Sequence, residues 1–199
     1  MGELHVNMNI TLDGVIQANG GPTVQDGDFP YAGWERPFGD PESGAQVVAD
    51  VQTSDALLLG RITYDIFRAY WPGKTDPIGQ AFDRIPKYVA SRGTPELSWA
   101  TSTLVADVVA QVHDLRERHQ QIHTWGSANL LHTLWAEGVV DQVNLWVCPI
   151  VIGRGKRLFP DGTAPTLFEL VEPPKAYPAG VLLMRYRRLQ DLKPVETGP

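Results

Sequence analysis

The first residues of the chain alternate between apolar and polar side chains. Leu4 and Val6 stand between polar neighbours, and the same alternation continues as far as Ile10 and Thr11. A period of two residues predicts a β-strand with one drier face. The segment Leu12-Asp13-Gly14 that follows predicts a turn.

Further along the chain, apolar runs typical of buried strands alternate with segments of helical spacing. The runs predict strands at 57–59, 87–90, 122–125 and 143–147, and the spacing predicts helices at 42–52, 78–85, 108–115 and 130–135. Pro86 and Gly138 are placed to end two of these helices. Two more strands, at 167–171 and 181–188, follow with no helix between them. This order predicts an α/β fold whose sheet is mostly parallel, with antiparallel strands added at the end.

The length and the composition fit one domain. The chain has 199 residues, 43% of them apolar, and no segment reads as an interdomain linker. A single domain of this size buries a core of its own. We therefore expect one domain over residues 1–190 and a loose C-terminal tail over residues 191–199.

Charge and hydropathy narrow the range of partners. A formal net charge of −6 argues against a nucleic acid or an anionic membrane as the main partner. The N-terminal residues have neither the basic start nor the apolar block of a signal peptide, and no apolar run approaches the roughly 18 residues of a membrane span. These features predict a cytoplasmic protein whose partner is a small molecule.

The cysteine and histidine residues of the chain do not form a recognisable metal-binding or disulfide pattern. Cys148 is the one cysteine, and because it lies within an apolar run we expect it to fill the core. A single thiol forms neither an internal disulfide nor a cysteine metal cluster. The five histidines form no H-E-x-x-H motif, so no metal site is expected.

The most informative segment is a predicted strand that runs directly into a small-residue turn and a helix. Gly126-Ser127-Ala128-Asn129 follows Trp125 and opens the helix that contains Leu130. The first turn of a helix carries free backbone N–H groups and the positive end of the helix dipole, so small residues there admit a pyrophosphate. Taken alone, such a junction also serves plain packing.

Two more strand ends carry chemistry that suits phosphate. Gly60-Arg61-Ile62-Thr63 follows the strand at 57–59, and Ser91-Arg92 follows the strand at 87–90. A guanidinium and a hydroxyl are both phosphate ligands. The alternative is that Arg61 pairs with a surface carboxylate and Thr63 caps a helix. In open α/β sheets, ligands bind outside the carboxyl ends of the strands, which is where all these residues are expected.

The segment 20–41 is rich in glycine, proline and aspartate, yet it also carries an unusual number of aromatic side chains. Long loops with aromatic residues of their own tend to be lids or binding loops. Trp34 and Phe38 are therefore candidates for stacking on a flat substrate. The alternative is that both side chains pin the loop to the core.

Four motifs together resemble the dihydrofolate reductase-like family. They are 11–14 (TLDG), 58–64 (LLGRITY), 125–130 (WGSANL) and 149–159 (PIVIGRGKRLF). The chain is most similar to the branch represented by the reductase domain of the bifunctional riboflavin-biosynthesis deaminase-reductase. The similarity runs in order from Leu4 to Arg188. The zinc signature of the deaminase half needs more cysteines than this chain has, so we expect a stand-alone reductase.

The resemblance implies a three-layer α/β sandwich with a mixed, mostly parallel central sheet and helices on both faces. It also implies NADPH as the hydride donor and a homodimer. Carried over by position, the residues that would hold the cofactor fall into three groups. Gly60, Arg61 and Thr63 would hold its phosphates, Ser91 and Arg92 the adenosine 2'-phosphate side, and Gly126, Ser127, Ala128, Asn129 and Leu130 its pyrophosphate.

Hydride transfer also requires a residue that manages one proton, and three carboxylates compete for this role. Asp13 lies at the turn where the family brings a flexible loop past the nicotinamide, although it also suits a simple turn former. Glu42 lies near the start of the helix that carries the substrate-side carboxylate in dihydrofolate reductases, although an acid there also suits the helix dipole. Asp50 is one to two turns further on, and we expect it to be solvated.

These features predict an NADPH-dependent oxidoreductase that reduces a small heterocyclic or imine-like substrate. The candidate substrates are 5-amino-6-(5-phosphoribosylamino)uracil and a pteridine. Segment 20–41 departs from dihydrofolate reductases throughout, which argues against folate itself. The alternative prediction is a non-catalytic, dimeric NADP-binding protein of the same fold. A purely structural dimer module is the third alternative.

Overall fold

A computed structural model describes residues 1–24 and 26–192 of the protein. The described part contains nine strands and five α-helices. The strands are β1 Glu3–Thr11, β2 Ala56–Gly60, β3 Lys87–Ala90, β4 Ser102–Val105, β5 Gln121–Trp125, β6 Gln142–Cys148, β7 Thr166–Leu170, β8 Lys175–Ala176 and β9 Leu182–Asp191. The helices are α1 Pro41–Thr53, α2 Arg61–Tyr70, α3 Pro77–Arg84, α4 Val108–Arg118 and α5 Ala128–Ala136, and a short 3-10 helix spans Arg36–Phe38.

All nine strands join one sheet with the order β4-β3-β2-β5-β1-β6-β9-β7, and β8 pairs with β9 beside this path. The six strands from β4 to β6 run parallel, whereas β9 runs antiparallel to β6, β7 and β8. This confirms the predicted mostly parallel sheet with antiparallel strands added at the end. Neither β4 nor β8 was predicted from the sequence.

Helices cover both faces of the sheet. Helices α4 and α5 place Val112, Leu115, Leu131 and Leu134 in one core cluster, and a second cluster on the other face receives side chains from α1, α2 and α3. Strand β2 lies between the two clusters, and its residues Leu57–Leu59 are fully buried. Such a strand needs apolar residues on both sides, which explains its continuous apolar run.

The expectation for β1 was incomplete, because both faces of this strand are buried. His5 and Asn7, on the polar face, are 7% and 2% exposed. Asn144 donates a hydrogen bond from Nδ2 to Asn7 Oδ1 at 2.9 Å, and Gln142 donates one to Asn144 Oδ1 at 2.8 Å. His5 also stacks on His123 of β5. Buried polar side chains that hydrogen-bond to or stack on one another therefore produce an alternating sequence pattern on a strand that does not face solvent.

The structure also shows the predicted helix end at Gly138, the surroundings of Cys148 and part of the predicted tail. Gly138 follows α5 with a φ of +63°, as predicted for a helix terminator. Cys148 is buried in the core, and burial raises the pKa of its thiol to about 12. Strand β9 continues to Asp191, and residues 193–199 of the predicted tail lie outside the described residues. In the described ranges, no helix has the length and apolarity needed to cross a membrane.

Candidate active site

The carboxyl ends of β2, β3 and β5 lie side by side at one edge of the sheet and open into a cavity of about 1620 Å³. This follows from the parallel order β3-β2-β5. The cavity brings together every residue predicted at the cofactor end. They are Gly60, Arg61, Thr63, Ser91, Arg92, Gly126, Ser127, Ala128, Asn129 and Leu130.

The starts of α2 and α5 are joined by hydrogen bonds between Thr63 and Ser127. Thr63 Oγ1 accepts from the backbone N–H of Ser127 at 3.0 Å and from its hydroxyl at 2.9 Å. Ser127 Oγ in turn accepts from the backbone N–H of Gly60 at 2.9 Å. Thr63 therefore does not cap α2, which was one of the alternatives, but positions the neighbouring helix start.

Close backbone approach at this junction favours glycine. A Cβ atom at Gly60 would come within 3.1 Å of Ser127 Oγ, and one at Gly126 within 3.0 Å of Thr63 Oγ1. Gly126 also has a φ of +56°, and Ser127 follows it in the left-handed region with a φ of +59°. Glycine adopts such a conformation without steric cost, whereas a serine there carries backbone strain. The junction formed by Gly60, Thr63, Gly126 and Ser127, here called the cradle, therefore has a tightly constrained backbone.

Helices α2, α4 and α5 begin at the cavity, and of these α2 and α5 lack side-chain caps among the described residues. Asp40, Asp76 and Asp107 cap α1, α3 and α4, and each carboxylate accepts hydrogen bonds from first-turn N–H groups. No side chain in the described part of the chain caps α2, which follows Gly60, or α5, which follows Ser127. Because uncapped N–H groups at a helix start attract anions, the cavity edge is prepared for a negatively charged ligand.

The two arginines at this edge differ in their surroundings. Arg61 donates from Nη1 to Asp65 at 2.8 Å, so the predicted pairing with a surface carboxylate is present. The Arg61 side chain is still 48% exposed. Arg92 is exposed, and within the described ranges it has no carboxylate partner within 4.0 Å. Arg92 is therefore more readily available than Arg61 to bind an anionic ligand.

The cavity continues inward from this edge to the polar face of β1. Asn7 and Asn9 line it there, together with Trp125 of β5 and Trp146 of β6. In the sheet, Asn7 pairs in register with Trp125 on one side and with Asn144 on the other. Neighbouring residues in register point to the same face of a parallel sheet, so an aromatic and an amide side chain meet at the cavity wall.

Glu35 reaches the cavity from segment 20–41, a placement that was not predicted from the sequence. Asn9 and Asn19 each donate a side-chain hydrogen bond to Glu35 Oε2, the second at 3.1 Å. Burial raises the pKa of the Glu35 carboxyl despite these amides and the nearby Arg36. The aromatic content of the segment signalled a functional loop, but no local pattern identified this carboxyl as the group that enters the cavity.

Asp50 also lines the cavity, which corrects the expectation that it is solvated. Its side chain is 12% exposed and accepts from Arg185 Nη2 at 2.8 and 3.0 Å. Gln46 donates a further hydrogen bond at 2.9 Å. Arg185 also pairs with Glu172 at 2.8 Å, so its charge is shared between two carboxylates.

The structure does not bring Asp13 to the cavity. Its carboxylate accepts from the Thr11 hydroxyl at 2.6 Å and from the backbone N–H groups of Ile152 and Gly153 at 3.2 and 2.7 Å. The hydrogen bond from Thr11 and those from the backbone lower the pKa of Asp13 to about 2. A carboxylate held in this ionised state organises a turn, so the prediction that Asp13 manages the proton is not supported by the geometry.

Three other predicted residues also lie outside the cavity. Glu42 is exposed on the first turn of α1, as the helix-dipole alternative implies. Trp34 is 5% exposed and donates from Nε1 to the Gln17 carbonyl at 2.8 Å. Trp34 and Phe38 pack in a cluster with Trp146. The structure therefore favours the alternative that these aromatic residues pin the loop to the core, since neither side chain lines the cavity.

The sheet order, the two helix layers and the cavity at the strand ends define a dihydrofolate reductase-like α/β architecture. A dihydrofolate reductase from Enterococcus faecalis, solved in complex with NADP(H) and RAB-propyl, matches with a TM-score of 0.60 and 13% identity, over 94% of this chain and 96% of that one. The chain belongs to the RibD C-terminal domain family, whose model matches residues 3–182. This confirms the predicted family.

Two solved structures extend this similarity. One, from Shewanella sp., is assigned to riboflavin biosynthesis; it has a TM-score of 0.72 and 18% identity, over 94% of this chain and 99% of that one. The other is a diaminohydroxyphosphoribosylaminopyrimidine deaminase/5-amino-6-(5-phosphoribosylamino)uracil reductase from Thermotoga maritima, with a TM-score of 0.60 and 14% identity. The match covers 94% of this chain and 57% of that longer protein. At these identities the likeness supports the fold.

Proposed function

We propose that the protein is an NADPH-dependent oxidoreductase that reduces a small heterocyclic or imine-like substrate. The observation that carries the proposal is the edge between α2 and α5, where two uncapped helix starts and two arginines face one cavity. Membership of the RibD C-terminal domain family supports the same activity.

The residues at this edge fit a dinucleotide. A pyrophosphate needs N–H donors that it can approach closely, and the glycines at 60 and 126 remove the side chains that would fill the cradle. The first-turn N–H groups of α2 and α5 would hold the pyrophosphate. Arg92 would contact the adenosine 2'-phosphate, and Ser91 and Arg61 would contribute from either side.

When bound, NADPH supplies a hydride, so the protein itself must position the acceptor and hold a proton. Glu35 is the carboxyl that suits the second task. It lines the cavity, and its burial favours the protonated form near neutral pH more than an exposed glutamate would. Asn9 and Asn19 fix its position through their hydrogen bonds to Oε2.

A titration followed by a turnover assay tests the proposal. NADPH is added to the purified protein while cofactor fluorescence is recorded, and then 5-amino-6-(5-phosphoribosylamino)uracil or dihydrofolate is added while absorbance at the NADPH band is followed. Saturable binding with oxidation by an acceptor supports the reductase. Binding without oxidation by any acceptor of this class supports the non-catalytic alternative, and failure to bind NADPH contradicts both.

We also infer a homodimer, formed through the antiparallel end of the sheet. Strand β7 is an edge strand in the described sheet, and such an edge offers unpaired backbone groups to another strand. Leucines along β7 and β9 and just after β9 are also 39% to 58% exposed: Leu167, Leu170, Leu182, Leu189 and Leu192. An open strand edge with exposed apolar side chains favours pairing with a second copy. Light scattering coupled to size-exclusion chromatography distinguishes a dimer from the 22.0 kDa monomer.

A further inference from the structure

Asn19 and Gly20 form an asparagine–glycine pair at the cavity. It is the one such pair in the sequence, and both residues line the cavity. The backbone nitrogen that follows an asparagine can close a five-membered ring on the side-chain amide carbon, Cγ. A glycine in that position leaves the approach free of a side chain and the backbone free to adopt the required conformation. The pair is therefore chemically suited to losing the amide group of Asn19.

The surroundings of Gly20 leave its backbone nitrogen open to this reaction. Gly20 is exposed, and its N–H donates no hydrogen bond to any of the described residues. A Cβ atom at Gly20 would meet Glu35 Oε1 at 3.8 Å, which is an ordinary contact distance, and the φ of Gly20 lies outside the left-handed region. Gly21, by contrast, has a φ of +142°. The fold therefore does not require glycine at position 20.

The side chain of Asn19 is one of two amides that hold the Glu35 carboxyl. Asn19 Nδ2 donates to Glu35 Oε2 at 3.1 Å, and Asn9 Nδ2 donates to the same oxygen. Exchange of the Asn19 amide for a carboxylate would remove one donor and put a second negative charge against Glu35. A like charge nearby disfavours ionisation of Glu35. A reaction at Asn19 would therefore change both the position and the protonation of Glu35.

We propose that Asn19 is a site of self-modification, at which the Gly20 nitrogen converts the side-chain amide into a carboxylate. Gly20 N gives its proton to hydroxide and bonds to Asn19 Cγ. The Cγ–Nδ2 bond then breaks, and the nitrogen takes a proton from water and leaves as ammonia. Water opens the ring at either carbonyl, which gives aspartate or isoaspartate. One water is consumed, one ammonia is released, and nothing is oxidised or reduced.

Both products disturb the contacts of Glu35. Aspartate replaces the amide donor with a carboxylate. Isoaspartate also adds a backbone methylene within the turn where Gly21 and Gly33 donate to the Ala18 carbonyl, at 3.2 and 2.7 Å. Either product is expected to lower turnover about tenfold or more, because a general acid acts only when it is correctly placed and protonated. This effect on turnover rests on the proposed function, whereas the modification itself does not.

Mass spectrometry of purified, folded protein kept at pH 8 and 37 °C measures the modification. Cleavage after glutamate releases residues 4–35, the fragment that contains Asn19. The internal control is Asn129, which is exposed but precedes the bulky Leu130. We expect conversion at Asn19 to be about tenfold or more faster than at Asn129, which corresponds to a barrier lower by about 1.4 kcal/mol.

Two variants connect the modification with turnover. Gly20→Ala is expected to slow conversion at Asn19 about tenfold and to keep its turnover over a period in which the wild type loses most of its own. Asn19→Asp supplies one product directly, so its turnover should be low before ageing, with NADPH affinity unchanged. Should Asn19→Asp fail to fold by circular dichroism, aged wild-type protein separated by ion-exchange chromatography provides the same comparison.

The outcomes separate this inference from the proposed function. Conversion at Asn19 that is no faster than at Asn129 would overturn the inference, whether or not the protein binds NADPH. Full conversion without loss of turnover, in protein that is active when fresh, would overturn the effect on Glu35. Conversion at Asn19 in protein that shows no turnover when fresh would support the modification and contradict the proposed function.

Discussion

The Thr63 hydroxyl accepts hydrogen bonds from both the backbone N–H and the hydroxyl of Ser127, at 3.0 and 2.9 Å. These bonds join the first turn of α2 to the start of α5 across 64 residues of sequence. Thr63 is 8% exposed, so water does not readily replace it as the acceptor. The spacing between the two helix starts therefore depends on the side chains of Thr63 and Ser127.

Thr63→Val is expected to loosen this junction. The variant keeps the side-chain shape but leaves the Ser127 donors without their acceptor, which costs about 1–3 kcal/mol of unfolding free energy. NADPH affinity is expected to fall as well, because the cradle depends on the same spacing. Urea unfolding and cofactor titration measure the two effects. Thr53→Val, at the exposed end of α1, is the control and is expected to change neither.

Arg92→Ala is expected to weaken NADPH binding more than NADH binding. A guanidinium–phosphate contact contributes about 1.5–3 kcal/mol, which corresponds to about a 10- to 150-fold change in Kd. Arg61→Ala is also expected to weaken NADPH binding more than NADH binding. The change in Kd should be smaller than for Arg92→Ala, because Arg61 already pairs with Asp65. Cofactor titrations of both variants measure this, with the exposed turn residue Arg154 replaced by alanine as the control. Equal losses for the two cofactors would contradict the 2'-phosphate assignment.

Glu35→Gln is expected to reduce turnover by about 10²-fold or more, since a positioned general acid contributes at least that much. NADPH affinity should stay the same, because Glu35 bonds to Asn9 and Asn19 and to none of the residues proposed to hold the cofactor. The raised pKa of Glu35 means that the protonated form is lost as pH rises through the folded-state value, so wild-type turnover should fall with rising pH. Rates across pH 5 to 9 test this. Unchanged turnover in the variant would show that Glu35 does not supply the proton.

His123 is expected to make the fold less stable as pH falls. Burial, with smaller effects of His5 and Arg185, lowers the pKa of His123 to about 3, against 6.5 for the ordinary group. The folded state therefore binds fewer protons than the unfolded state between these values. The contribution of neutral His123 to the free energy of unfolding is fully present above pH 6.5 and is lost progressively towards pH 3. The loss amounts to about 2 kcal/mol between pH 7.5 and pH 5.

Urea unfolding at pH 7.5 and pH 5 measures the contribution of His123, and this interval avoids most carboxyl titration. His123→Leu should show a smaller difference between the two pH values than the wild type does. His113→Leu, at an exposed position of α4, should keep the wild-type difference. The same loss of stability in the wild type and in His123→Leu would rule out His123 as its source.

The sequence predicted the cofactor end of the site better than the substrate end. Gly60 and Gly126 directly follow strands, and parallel strands bring their carboxyl ends together whatever the rest of the chain does. The position of Glu35 instead depends on how segment 20–41 folds back, with Trp34 as its anchor. Strand β4 was missed because it is short and pairs only with β3, which leaves a weak local pattern.

Backbone amide hydrogen exchange with and without NADPH is the sharpest test of the proposed cofactor site, because it reports on the N–H groups themselves. We expect NADPH to slow exchange at the starts of α2 and α5, residues 60–63 and 126–130, and at residues 91–93. The Asp-capped start of α3, at Asp76, should be unaffected. If NADPH slowed exchange at other residues and left the two uncapped helix starts unchanged, the proposed cofactor site would be wrong.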